Sequence, residues 1–222
     1  MDNMRLAHRT AHGGLLIDWL VGVAIEGVGI HDLAPVRHQL ALEQISDVRR
    51  TLLALEADRE PWDVVRRRDR NWTWLACGWR GRLETTLEQP LSSWFTPGPS
   101  PRSEPSYSVD NGRRARFALL LTEFALREYI LEHGRSPETL NELVPRYVPA
   151  VPSDPFSDRP LVYRQRADGY LLYSVGANGV DDGGVAAEWP YMLQGHGDLF
   201  LDDPAPKSAK SEASNQGLDR EK

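Results

Sequence analysis

A proline- and serine-rich segment divides this chain and most constrains what it can fold into. Between positions 90 and 110 the prolines and serines include Pro97, Pro99, Ser100, Pro101, Ser103, Pro105 and Ser106. Proline removes backbone amide donors, and the segment has too little apolar surface to offset the entropy of ordering it. We therefore predict a helical domain at 1–92, a Pro/Ser-rich linker at 93–110, an α+β domain at 111–203 and a disordered tail at 204–222.

The N-terminal region has the pattern of a helical bundle. Apolar residues recur at helical spacing in three successive stretches, at 15–30, 40–55 and 64–83. Proline punctuates the chain after the first stretch and suits the first turn of the third. Glycines at 22, 27 and 29 offer points at which another backbone can approach the first helix closely.

The C-terminal region predicts helices followed by a β-hairpin. A long amphipathic helix begins at Asn111 and stops at Gly134, and a short helix follows it. Residues 160–164 and 169–174 have the composition of two strands joined by a tight connection. The predicted fold class is α+β, with an N-terminal helical bundle and a long helix packed on a small antiparallel β-hairpin. In this arrangement Tyr163 and Tyr173 would both pack on the long helix.

Linked motifs in the same region carry a resemblance to a known family. They are residues 147–156 (YVPAVPSDPF), 161–163 (LVY) and 170–184 (YLLYSVGANGVDDGG). In this order they resemble the globular head of the major pseudopilins of type II secretion systems. Phe156 stands where that family has tryptophan, and the long helix follows a Pro/Ser segment where the family has an apolar anchor. The helical half is similar to the N-terminal region of uncharacterised bacterial proteins that carry such a head.

The resemblance implies a calcium site in the head. In the family, the loop corresponding to residues 174–184 binds calcium, and the ligands carried over are Asn178, Asp181, Asp182 and Asp198. Calcium takes about six to eight oxygen ligands from carboxylates, amides and backbone carbonyls, which such a loop can supply. The alternative is that these residues only serve turns, because Asn-Gly and Asp-Gly pairs favour positive backbone dihedrals.

Charge and cysteine content argue against several classes of function. The net charge is −6, and the one basic run, at residues 66–70, is interrupted by Asp69, so we expect no nucleic-acid partner. The apolar stretch at 14–30 contains Asp18 and Glu26, and we expect no membrane span there. The single cysteine, Cys77, excludes an intrachain disulfide.

No catalytic or phosphate-binding motif is present in the sequence, and we predict that the protein is not an enzyme. His8 and His12 are four residues apart, and His31 and His38 are seven apart, but no carboxylate is placed by sequence as a third metal ligand. Surface histidines are the favoured interpretation. A weaker alternative is an enzyme with a site between the two halves, near His31, His38 and the tryptophans Trp62, Trp72, Trp74, Trp79 and Trp94.

The expected function is that of a structural or protein-interaction module with a pseudopilin-like, calcium-stabilised head and an unidentified protein partner. The alternative is a component of a type II secretion or type IV pilus-like envelope assembly. The expected location is the cytoplasm if Met1 is the true start, and the cell envelope if a longer N-terminus exists.

Overall fold

A computed structural model of the protein describes residues 1–87, 105–167, 169–187 and 196–202. Its elements are α1 (Asp2–Ala11), α2 (Leu16–Val36), α3 (Leu42–Ala57), α4 (Trp62–Leu87), α5 (Pro105–His133), a 3-10 helix (Leu140–Leu143), β1 (Val162–Arg166) and β2 (Gly169–Tyr173). Mostly helical with one small antiparallel sheet, the fold matches the predicted α+β class at a coarse level. The predicted tail at 204–222, most of the predicted linker and Trp94 lie outside the described residues.

Helix α1 was not among the helices that the sequence predicts. Its buried apolar side chains are only Met4 and Ala7, so the helix has little large apolar surface by which the sequence could predict it. It packs closely on α2, where a Cβ atom added at Gly22 would lie 2.7 Å from the Cβ of Ala11. A Cβ at Gly29 would lie 2.6 Å from the sulfur of Met4. The predicted close approach is therefore confirmed at positions 22 and 29, whereas a Cβ at 27 would meet no described atom within 4 Å.

Helix α5 starts earlier than predicted. It begins at Pro105 rather than Asn111, so residues 105–110 are helical and do not belong to an irregular linker. Proline suits a first helical turn because the missing amide would lack an intrahelical partner there. Asp110 and Arg113 are buried, and Arg113 lies 3.4 Å from Glu26 of α2. Tertiary ion pairing thus accompanies the early start, and the apolar pattern of the sequence did not include it.

The buried apolar side chains form one cluster that draws on both predicted domains. Helices α2 and α3 contribute to it along with α5, the 3-10 helix and the hairpin, through residues that include Ile30, Leu33, Ile45, Leu52, Phe117, Leu120, Phe124, Leu143 and Leu172. Phe124 and Leu120 are fully buried. The helix α5 therefore shares a core with the helices before it and with the strands after it, while the division of the chain into domains stays a prediction.

The two faces of the hairpin have different partners. Tyr163 pairs with Leu172 across the sheet, and both belong to the cluster that contains α5. Tyr173 is fully buried outside that cluster, with its ring 5.4 Å from that of Phe200. Tyr163 therefore packs against the cluster to which α5 contributes, whereas Tyr173 lies outside it, because successive side chains of a strand point to opposite faces.

Helix α2 is apolar around most of its circumference. One face, with Trp19, Ile30 and Leu33, is buried. A second set recurs at helical spacing and is exposed, namely Ile17, Leu20, Val21, Ala24 and Val28, which we call the α2 stripe. In the part of the chain that the structure describes, no helix combines the length and apolar character that crossing a membrane requires.

Candidate functional site

A buried network of charges connects α2, α5 and Arg59, which follows the C-terminus of α3. Arg59 donates to both carboxylate oxygens of Glu26, at 2.8 and 3.1 Å. Arg113 donates to Asp110 at 2.5 Å and approaches Glu26 at 3.4 Å. Burial raises the pKa of Glu26, and the Arg59 guanidinium acts in the opposite direction. Each carboxylate in this network faces a guanidinium, which is the arrangement of structural ion pairs.

A cavity beside this network is small. It has a volume of about 40 Å³, and its walls include Met4, His8, Trp19, Glu26 and Phe117. That volume is room for about one water molecule, whereas small-molecule sites usually measure about 300–1,000 Å³. The cavity can therefore hydrate the ion pairs, and it is too small for an organic substrate.

Two histidines at the edge of this cavity converge with an aspartate in a neighbouring surface depression. His8 lies on α1 and His12 directly follows it, and their rings stack with centroids 5.6 Å apart. Asp58, which caps the C-terminus of α3, brings a carboxylate oxygen to 3.3 Å from Nε2 of His8. One ligand atom from each residue lies within 4.8 Å of the others, and no other such trio of His, Cys, Asp or Glu occurs among the described residues. His12 is exposed as predicted, but His8 is partly buried.

A second polar cluster lies where α2 and α5 meet the hairpin. Arg37 pairs with Glu123 at 3.2 Å and also with Asp202, and the Tyr170 hydroxyl donates to Glu123 at 2.8 Å. Burial raises the pKa of Glu123, and Arg37 opposes the shift. These groups and His38 border a surface depression of about 340 Å³. The Arg37 guanidinium is paired with both the Glu123 and the Asp202 carboxylate. The cluster therefore consists of ion pairs and not of a free acid and a free base.

The residues of the alternative enzyme site are dispersed. His31 lies near the C-terminal end of α2 and His38 follows that helix, and both side chains are exposed. Trp62 packs on Trp19 with centroids 4.4 Å apart, so it belongs to the contact between α4 and α2. The side chains of Trp72 and Trp74 are exposed on α4. The side chain of Trp79, like Trp94, lies outside the described residues.

Three of the four predicted calcium ligands lie together. The Asn178 amide donates to Asp182 at 2.8 Å, and the backbone amide of Asp182 donates to Asp198 at 3.2 Å. Asp198 is fully buried and accepts a second bond from the Gly184 amide at 2.6 Å. Its pKa is raised chiefly by burial and also by Asp181 and Asp182. These carboxylates thus hold the loop through backbone amides.

The fourth predicted ligand, Asp181, is hydrogen-bonded to side chains of the hairpin. Asp181 accepts from the Tyr173 hydroxyl at 2.7 Å and from Arg164 at 3.1 Å. The Tyr173 hydrogen bond lowers the pKa of Asp181, and burial, together with that bond, raises the pKa of Tyr173 to about 12. Asp181 is therefore engaged by side chains of the sheet, while the other three residues face one another.

Sequence reasoning missed the partners of the histidines and of the buried carboxylates. Asp58 was not identified as a third ligand because it lies on α3, and only the fold brings it to α1. Glu26 was interpreted solely as an obstacle to a membrane span, although its spacing on an apolar helix was a signal of a buried ion pair. A buried glutamate needs a compensating cation, and this expectation alone could have directed attention to the arginines.

Comparison with known proteins gives no further identification. No family profile, no curated protein and no solved structure matches this chain.

Proposed function

We propose that this protein is a non-enzymatic structural or protein-interaction module that docks a helical segment of a partner protein on α2. The observation that carries the proposal is the α2 stripe. Its apolar side chains are exposed, and they lie on a different face of α2 from the apolar side chains that are buried. Helices that are apolar all round are usually buried, and exposed apolar patches mark interaction sites. The ion-paired state of the described acidic groups around the cavity supports a structural role.

The α2 stripe has the dimensions of a helix-packing surface. From Ile17 to Val28 it spans roughly 16 Å, at 1.5 Å per residue. Ala24 and the neighbouring Gly27 are small, and Gly27 would accept a Cβ without meeting any described atom within 4 Å. Small residues between larger apolar ones allow a second helix to approach closely, with Leu20, Val21 and Val28 inserting between its side chains. The favoured partner is therefore an amphipathic helix.

Site-specific photo-crosslinking tests the docking surface. A photoreactive residue in place of Val21 is expected to give a discrete adduct with one protein in cells of the natural host. The same residue at Glu43, which is exposed on α3, is the matched control and should give none. An Ile17→Ser/Val28→Ser background should abolish the Val21 adduct. Adducts of equal yield from both positions, or none from Val21, would contradict the proposal.

We further propose that the C-terminal part is a pseudopilin-like head stabilised by calcium. The support is the loop that gathers Asn178, Asp182 and Asp198, together with the linked motifs of this region. Repulsion from Asp181 and Asp182 contributes to the raised pKa of Asp198. A divalent cation among these oxygens would offset that repulsion, and hard carboxylate and amide oxygens are the ligands that calcium prefers.

Calcium is expected to raise the thermal midpoint of metal-free protein. At about 100 times its dissociation constant, a ligand bound only by the folded state stabilises by about 2.7 kcal/mol. Asp182→Asn should remove most of the response, measured by circular dichroism. Asp63→Asn, at an exposed position of α4, should keep it, and magnesium should not replace calcium. Identical midpoints with calcium and after its removal would eliminate this part of the proposal.

A further inference from the structure

We propose that His8, His12 and Asp58 form a zinc-binding site that ties α1 to the C-terminus of α3. This site is separate from the calcium loop and from the α2 stripe, and it does not depend on either. Its ligands come from two elements that are far apart in sequence, so zinc would act as a cross-link within the helical region.

The distances fit one zinc ion. His8 lies in the last turn of α1, and His12 is the C-cap residue of that helix, four residues further along the chain. Zinc binds nitrogen at about 2.0–2.1 Å and carboxylate oxygen at about 2.0–2.2 Å, which in a tetrahedron separates two ligand atoms by roughly 3.3 Å. Nε2 of His8 lies 3.3 Å from the Asp58 carboxylate, and all three ligand atoms are within 4.8 Å of one another. His12 is exposed, and its ring would have to rotate toward the ion to close the remaining gap.

The Nε2 atom of His8 provides independent support. It is buried, and no described group makes a hydrogen bond to it, even though the Asp58 carboxylate is near. Buried polar atoms almost always have a partner, so each exception needs an explanation. Burial also lowers the pKa of His8, although Asp58 acts in the opposite direction. A zinc ion bound to Nε2 would supply the missing partner.

The charges around this position have both signs. Asp58 stands at the C-cap of α3, where the helix dipole is negative and the last turn has no basic residue. Glu60 accepts from the backbone amide of Gly13, next to His12, at 3.2 Å. The nearby Arg59 guanidinium is already bound by Glu26 and by Glu56, the latter at 2.6 Å. Arg5 and Arg9 border the surface depression that contains His8, His12 and Asp58, and their positive charges oppose the binding of a cation.

The ligand set selects the class of metal. Two imidazoles and one carboxylate suit zinc and its neighbours among the divalent transition metals, whereas calcium and magnesium prefer oxygen ligands throughout. The Asp58 side chain is 76% exposed, so the fourth coordination position faces solvent. The site therefore has three protein ligands and one position for water.

Calorimetric titration of metal-free full-length protein with zinc chloride tests the assignment, with any affinity tag removed. We expect one zinc per chain, a higher thermal midpoint with zinc, and a cobalt complex with the visible absorption of four-coordinate geometry. His12→Ala and Asp58→Asn should each weaken zinc binding by at least about tenfold, since even outer-shell changes cost 10–100-fold. Both altered side chains are mainly exposed, and circular dichroism would verify that the variants fold.

The matched control is His31→Ala, at an exposed histidine on α2, which should bind zinc as the unaltered protein does. Excess calcium should not displace the zinc. Absence of saturable binding, or equal affinity in His12→Ala, Asp58→Asn and His31→Ala, would overturn the proposal. A zinc-dependent midpoint that persists in the His12→Ala variant would overturn it as well.

Discussion

Glu128→Leu is expected to lower the free energy of unfolding by about 3–5 kcal/mol, the usual cost of breaking a buried ion pair by removing one partner. Glu128 on α5 is buried and binds Arg49 of α3 through both carboxylate oxygens, one of them at 3.3 Å. Arg49 also donates to the backbone carbonyl of Tyr147 at 2.6 Å. The substitution would leave a buried guanidinium with one uncharged acceptor. Urea denaturation followed by circular dichroism measures the loss.

Removing both charges should restore most of that stability. In the Arg49→Met/Glu128→Leu variant no buried charge is left uncompensated, and a double-mutant cycle isolates the coupling between the two side chains. The matched control is Arg67→Met, which breaks the exposed pair with Asp63 at 3.0 Å. Exposed pairs contribute about 0–1 kcal/mol. A loss in Glu128→Leu no larger than that of the control would mean that this pair does not hold α3 to α5.

The elements that could be predicted from the sequence are those with a complete local signal. Helix α5 has apolar residues on every turn, and the strands have a turn-forming connection between aromatic runs. Patterns of this kind arise within a few residues, so a single sequence suffices to find them. The pairing of Tyr163 with Leu172 requires the register of the two strands as well as their positions. The face on which Tyr173 lies depends on register, and a shift of one residue reverses it.

The elements that could not be predicted depend on contacts between distant positions. Helix α1 is stabilised by close packing on Gly22 and Gly29, which substitutes for a periodic set of large apolar residues. The Pro105 start of α5 accompanies ion pairing of Arg113 with Glu26. An ion pair between elements far apart in sequence leaves no periodicity, and many partners are chemically equivalent before folding. The zinc ligand Asp58 was missed for the same reason.

Asp154→Ala is expected to lower the free energy of unfolding by about 1–3 kcal/mol, the cost of leaving the buried Val175 amide without a partner, with a smaller further loss at the partly buried Phe156 amide. Asp154 is fully buried in the proline-rich loop before β1. Its carboxylate accepts from the amide of Phe156 at 2.9 Å and from the amide of Val175 at 2.7 Å. One side chain thus holds the loop to the end of β2. Thermal and urea unfolding of the variant give the size of the effect.

Asp154→Asn separates the two hydrogen bonds. An asparagine of the same shape keeps one acceptor oxygen, but its amide group would face a backbone donor, so we expect an intermediate loss of stability. Hydrogen exchange should accelerate at the amides of Phe156 and Val175 in both variants, more strongly in Asp154→Ala. If only the alanine variant lost stability, a single hydrogen bond would suffice to hold the loop. If neither did, the loop would be fixed by its apolar contacts, since Val151 and Phe156 pack against the core.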